Sequence, residues 1–150
     1  MTVTPRTRTP GRRAARTLPR AAGALLAAFL LGGCGASAAS EDGATDAGRR
    51  FAAAVSAGDY RTGCALLAPE TREQVEEDAR GACGPGLRQA ELPTAGLPRG
   101  VDVYGREALL RMTGDTLFLS RFDEGWLVTA AGCAPPESKD EPYRCSVKGG

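Results

Sequence analysis

The stretch Val101-Asp102-Val103-Tyr104-Gly105-Arg106-Glu107-Ala108-Leu109-Leu110-Arg111-Met112-Thr113-Gly114-Asp115-Thr116-Leu117-Phe118-Leu119-Ser120-Arg121-Phe122-Asp123-Glu124-Gly125-Trp126-Leu127-Val128-Thr129-Ala130 decides the fold. Its apolar residues recur at every second position: Val101 and Val103, then Ala108, Leu110 and Met112, then Leu117 and Leu119, then Trp126, Val128 and Ala130. Successive side chains of a strand point to opposite faces, so a period of two marks strands that are buried on one side. Gly105, Thr113-Gly114-Asp115 and Asp123-Glu124-Gly125 separate the sets with residues suited to tight reversals. The spacing therefore predicts an antiparallel meander. A last strand around Tyr143 to Val147 is expected to return after the Pro135-Pro136 loop.

Upstream of this stretch the period changes to that of a helix. Ala47, Phe51, Ala54 and Val55 share one helical face between Asp46 and Ala57, with Thr45 as cap and Gly58 as stop. Asp59 is placed to cap a short helix from Tyr60 to Leu67, and Pro69 to open a third from Glu70 to about Arg80. Between Gly84 and Gly100, Pro85, Pro93 and Pro98 argue for a linker holding one turn of helix around Leu87 to Glu91. About three helices followed by a sheet define an α+β domain with the helices on one sheet face.

Four cysteines lie in this region: Cys64, Cys83, Cys133 and Cys145. An even number reads as disulfides if the chain is exported to an oxidising compartment, and three connectivities are possible. Pairing each cysteine with its neighbour in sequence, Cys64 with Cys83 and Cys133 with Cys145, ties adjacent elements together and is favoured. A zinc site lacks both the CxxC spacing and any histidine, and no cofactor is implied.

The fifth cysteine carries the address. Six arginines and no acid occupy residues 1–20, and the apolar run Ala21 to Leu31 is about half the roughly 20 residues that a membrane span needs. Leu31-Gly32-Gly33-Cys34 then resembles the lipobox of bacterial lipoproteins. That resemblance implies a signal peptide over residues 1–33, a diacylglyceryl thioether on Cys34, and a protein anchored by lipid on the extracytoplasmic face of the cell membrane. Arg12-Arg13 suggests twin-arginine export, but Ala14-Ala15-Arg16 is not the apolar continuation which that route prefers. Residues 34–45 are small and polar, and are expected to form a flexible tether ahead of a single domain at 46–150. Without its leader the chain keeps 13 basic and 18 acidic residues, a net charge of −5, and no basic stripe for nucleic acid.

A second resemblance covers about residues 46–148. Phe51-Ala-Ala-Ala-Val55, Ala57-Gly58-Asp59-Tyr60, Leu66-Leu67-Ala68-Pro69-Glu70-Thr71-Arg72 and Asp123-Glu124-Gly125-Trp126-Leu127-Val128, in that order, look like the small exported proteins of the nuclear-transport-factor-like superfamily, whose domains recur in actinobacterial lipoproteins. The resemblance implies a curved sheet wrapped by helices into a cone, often with a ligand pocket inside. Some members are isomerases or cyclases that set an acid or histidine against a tyrosine; many only bind or assemble.

Candidates for such a site are few. Asp102 and Tyr104 share a strand face opposite Val101 and Val103, which is either a polar interior or solvent. Trp126 and Tyr143 complete the set of ligand-binding candidates. Asp59 is read as a helix cap and Asp115 as a turn residue. No Gly-x-Ser-x-Gly elbow, phosphate loop or His-Glu-x-x-His is present, so hydrolase and nucleotide chemistry have no support. The sequence thus suggests an anchored module that binds a small apolar ligand or an envelope protein, with an isomerase-like or cyclase-like enzyme as the alternative.

Overall fold

The computed structural model describes residues 37–149 except residue 139. The expected signal peptide, the lipobox and Cys34 lie outside the described residues. Within them are four helices, α1 (Ala38–Ser56), α2 (Tyr60–Ala65), α3 (Pro69–Ala79) and α4 (Cys83–Gln89), followed by five strands: β1 (Pro98–Tyr104), β2 (Glu107–Met112), β3 (Thr116–Phe122), β4 (Gly125–Ala134) and β5 (Arg144–Lys148). The strands form one antiparallel sheet in chain order, so the meander and its returning fifth strand stand as read from the sequence.

The helical half departs from expectation in two places. First, α1 starts at Ala38 and is capped by Ser37, whose hydroxyl accepts from the Ser40 N–H; Thr45 lies inside the helix. The tether expected over residues 34–45 is therefore helical from Ala38 onward. The reason is burial, since Ala44 and Ala47 are enclosed and Gly43 lies against the Trp126 indole. Second, the turn expected within the 84–100 linker is a full short helix, α4, that starts earlier and packs on α3. Gly86 permits this approach: a Cβ there would stand 2.8 Å from the Val75 carbonyl oxygen and 2.9 Å from the Ala79 Cβ.

Asp59 caps α2 by accepting from the Thr62 N–H at 3.1 Å, and hydrogen bonding from Thr62 holds its carboxyl below the usual carboxylate range. Pro69 opens α3, where its missing N–H costs nothing. Arg80 closes α3 in the left-handed region at φ 50°, a conformation that strains a residue with a Cβ. Arg80→Gly is expected to raise unfolding stability by about 0.5–1 kcal/mol, read as a higher denaturant midpoint at unchanged slope.

The core lies between the helices and one sheet face. Val101, Leu110 and Leu117 form one register row on that face, and Val103, Ala108, Leu119 and Val128 another. Phe51 of α1 is buried among the same cluster. α3 is fastened to β4 by the Thr71 hydroxyl, which donates to the Thr129 carbonyl at 3.0 Å. The segment after α2 pairs with β4 directly: Val128 N–H donates to the Leu66 carbonyl, and Ala68 N–H to the Val128 carbonyl. That bridge occupies the part of β4 which β5, whose pairing runs from Ala130 to Ala134, leaves uncovered. Disulfides join Cys64 of α2 to Cys83 of α4, and Cys133 of β4 to its register partner Cys145 of β5.

Candidate functional site

Side chains fill the space between α1 and the sheet. Phe51, Leu110, Leu117, Leu119 and Val128 are all within two per cent of complete burial, and a Cβ on Gly48 would collide with Leu110. The void bordered by Phe51, Val55, Leu92 and Leu117 amounts to about 10 Å³, room for one water at most. The interior as described therefore has no space for a ligand of substrate size.

A sizeable concavity lies instead at the edge of the helix layer. A groove of about 930 Å³ runs beside α1 from Gly43 to Ser56, bounded across from the helix by Thr94 to Pro98, by Met112 and by Gly125-Trp126. Trp126 forms part of its floor and is 7% exposed, with the indole Cδ1 3.0 Å from where a Cβ on Gly43 would sit. A larger residue at 43 would push the ring away. Arg49, Arg50 and Asp46 supply the charge along the helical wall. At its opposite rim Leu97 is 75% exposed.

The candidates drawn from the sequence divide between the two faces of the sheet. Trp126 is in the groove. Asp102 belongs to the outer face, in a register row with Leu109, Phe118, Ala130 and Lys148 that crosses all five strands. Its carboxylate accepts from Arg111 Nη1 at 2.6 Å, and this hydrogen bond holds it below the usual carboxylate range. Both partners are substantially exposed, so the pair adds little to stability. Tyr104 is 73% exposed, and Tyr143 stands edge-on to Phe118 with ring centroids 5.1 Å apart. The three outer residues and Trp126 are thus not brought together, and Asp102 is engaged by an arginine on an open surface.

One polar residue of consequence was missed. Asp115, read as a turn residue, is 9% exposed and accepts three backbone hydrogen bonds: Oδ1 from Thr116 N–H at 2.6 Å and Cys133 N–H at 3.0 Å, and Oδ2 from Gly132 N–H at 3.1 Å. It fastens the start of β3 to the disulfide end of β4. Burial pushes its carboxyl above the usual range, with the three N–H groups pulling against that rise. Turn chemistry at Thr113-Gly114-Asp115 masked it, because the same residue type serves both purposes.

Among the described residues no cluster of three or more His, Cys, Asp or Glu side chains is placed to hold a metal ion. No helix among them is long and apolar enough to cross a membrane. Comparison with protein-family models, with curated proteins and with solved structures returned no match to this chain.

Proposed function

We propose that this chain is an exported lipoprotein, held at the extracytoplasmic face of the cell membrane through lipid on Cys34, whose domain binds a ligand or an envelope partner without turning it over. The observation that carries the binding reading is the groove beside α1, floored by Trp126, next to an interior closed by side chains. A sheet wrapped by helices suits the cone of the nuclear-transport-factor-like proteins, although the recess here lies at the side of the helix layer. An isomerase-like or cyclase-like activity would need a carboxylate facing a tyrosine across a pocket; Asp102 and Tyr104 instead sit on the open sheet face.

The anchor rests on Leu31-Gly32-Gly33-Cys34 and the arginine-rich, apolar segment before it. Cys34→Ser removes the acceptor thiol and is expected to move the protein from the membrane fraction to the soluble exported fraction, since two acyl chains are what make anchoring stable. A variant that stays with the membrane would sink this reading. Native mass spectrometry of the protein recovered from its own envelope tests the binding half. A retained mass of a few hundred daltons or a co-purifying protein supports it, and a bare chain in repeated preparations counts against it.

A further inference from the structure

We infer that the groove beside α1 receives a single-chain anionic amphiphile, its acyl tail lying along Trp126, Met112 and Pro98 and its head group held by Arg49 and Arg50. The inference rests on the binding reading above and adds the chemistry of the ligand.

Length comes first. From Gly43 to Ser56 the helical wall rises for 13 residues, about 20 Å at 1.5 Å each, and Arg49 and Arg50 stand at its middle, so about 9 Å of wall runs from the head group to the Gly43–Trp126 end. A chain that spans one leaflet of a bilayer's hydrocarbon core occupies roughly 15 Å, half of that core's thickness. The groove's 930 Å³ also falls near the upper end of the roughly 300–1,000 Å³ found for small-molecule sites. The part of an acyl tail next to its head group therefore lies along the groove, and the remainder extends past the Gly43–Trp126 end.

Surface chemistry selects the kind of solute. The Pro98 ring, the Ala53 methyl and the exposed Leu97, with the edges of Trp126, Met112 and Ala52, offer an apolar bed, to which a hydrocarbon chain adds buried area without leaving a polar group unpaired. Two guanidinium groups face one carboxylate, Asp46, along the same wall, and among the described residues neither Arg49 nor Arg50 has an ion-pair partner. Guanidinium matches carboxylate and phosphate oxygens with paired N–H donors, so a head group of either kind completes the arrangement. A neutral chain would leave both arginines unused.

Position supplies the source. Four residue steps separate Cys34 from Ala38, which even fully extended reach no more than about 14 Å. An anchor on Cys34 thus keeps the first turn of α1, and with it the Gly43–Trp126 end of the groove, near the bilayer surface where such amphiphiles reside.

Trp126 is the chain's sole tryptophan, so its fluorescence reports the groove without a label. The full-length chain carrying Cys34→Ser, which has no acyl group of its own at residue 34, is titrated with bromostearate below its aggregation threshold. Bromine on the acyl chain is expected to quench more than half of the emission saturably. The matching bromostearyl alcohol is expected to bind at least tenfold more weakly, and the double variant Arg49→Gln with Arg50→Gln to lose at least tenfold in affinity for the acid but not for the alcohol. Displacement by lysophosphatidylglycerol, compared with displacement by stearate, tells a phosphate head from a carboxylate. Lack of saturable quenching, or equal binding of acid and alcohol, overturns the proposal. A chain that ignores bromostearate yet leaves the membrane on Cys34→Ser loses this ligand and keeps its anchor; one that binds but is indifferent to Cys34 does the reverse.

Discussion

Asp115→Ala is expected to cost the domain about 3–5 kcal/mol, a large part of the roughly 5–15 kcal/mol that holds a domain of this size. The substitution strands three N–H groups, those of Thr116, Gly132 and Cys133, at the junction of β3 and β4. Each unsatisfied buried donor costs about 1–3 kcal/mol, and entry of water at the half-buried Gly132 recovers some of the total. Asp115→Asn separates shape from charge. With its amide oxygen at the Oδ1 position it keeps the bonds to Thr116 and Cys133 and turns an NH2 toward the Gly132 N–H, for an expected loss of about 1–2 kcal/mol. Denaturant midpoints of the three proteins should fall in the order wild type, Asn, Ala. Because the folded carboxyl is raised above its unfolded value, the native state binds more protons just above the ordinary carboxylate range. The stability tied to this group is therefore present at low pH and lost as pH rises through the folded value. Asp115→Asn removes that opposing contribution, so its midpoint should decline more steeply than the wild type's on acidification through the carboxylate range. A parallel decline in both would show that Asp115 titrates alike in the folded and unfolded chains.

Phe51→Ala should be as damaging by a different route. The ring is 2% exposed and belongs to the cluster that includes Leu110, Leu117 and Leu119. Removing a buried phenyl group loses its transfer free energy and leaves a hole that the sheet cannot close, typically 3–5 kcal/mol together. Phe51→Leu keeps most of the volume and should lose less than half as much. Equal losses for the two variants would mean that α1 moves inward to fill the space, and a negligible loss would place the stabilising core elsewhere. The slope of the denaturation curve should hold steady throughout, as expected when a substitution leaves the surface exposed on unfolding unchanged.

The strands were legible because a sheet with one covered face writes its period into the sequence. Leu110, Leu117, Leu119 and Val128 face the helices, while Asp102, Arg111 and Ser120 do not, and the turns between carry Gly or Asp. Both disulfides followed from nearness along the chain, which for Cys133 and Cys145 is the nearness of adjacent strands in a meander and for Cys64 and Cys83 that of short helices packed together. The start of α1 was not legible: Ala38 to Thr45 has the composition of a spacer, and only the tertiary burial of Ala44 and the closeness of Gly43 to Trp126 make it helical. α4 was hidden in the same way, as a Gly-Pro-Gly sequence looks like a loop until Cys83 is tied to Cys64 and Gly86 is pressed on α3. Of the site, Trp126 was singled out, but its neighbours Arg49, Arg50 and Met112 were not. With Trp126 they come from three distant parts of the chain, and nothing local announces that a helix wall and a strand end will border the same groove.

Neither disulfide crosses from the helices to the sheet. Cys64–Cys83 closes a loop among the helices and Cys133–Cys145 one within the strands, and α1 takes part in neither. If the membrane holds this protein by its N-terminus, any pull on the domain enters through α1, whose grip on the sheet is, among the described residues, packing alone. Under mechanical load α1 is then the first element to peel away, exposing Phe51 and the Leu110 row before either covalent staple comes under tension. A tug from a partner outside the cell would thus convert the domain from a closed core to an open apolar face while leaving the helices and the strands each internally stitched.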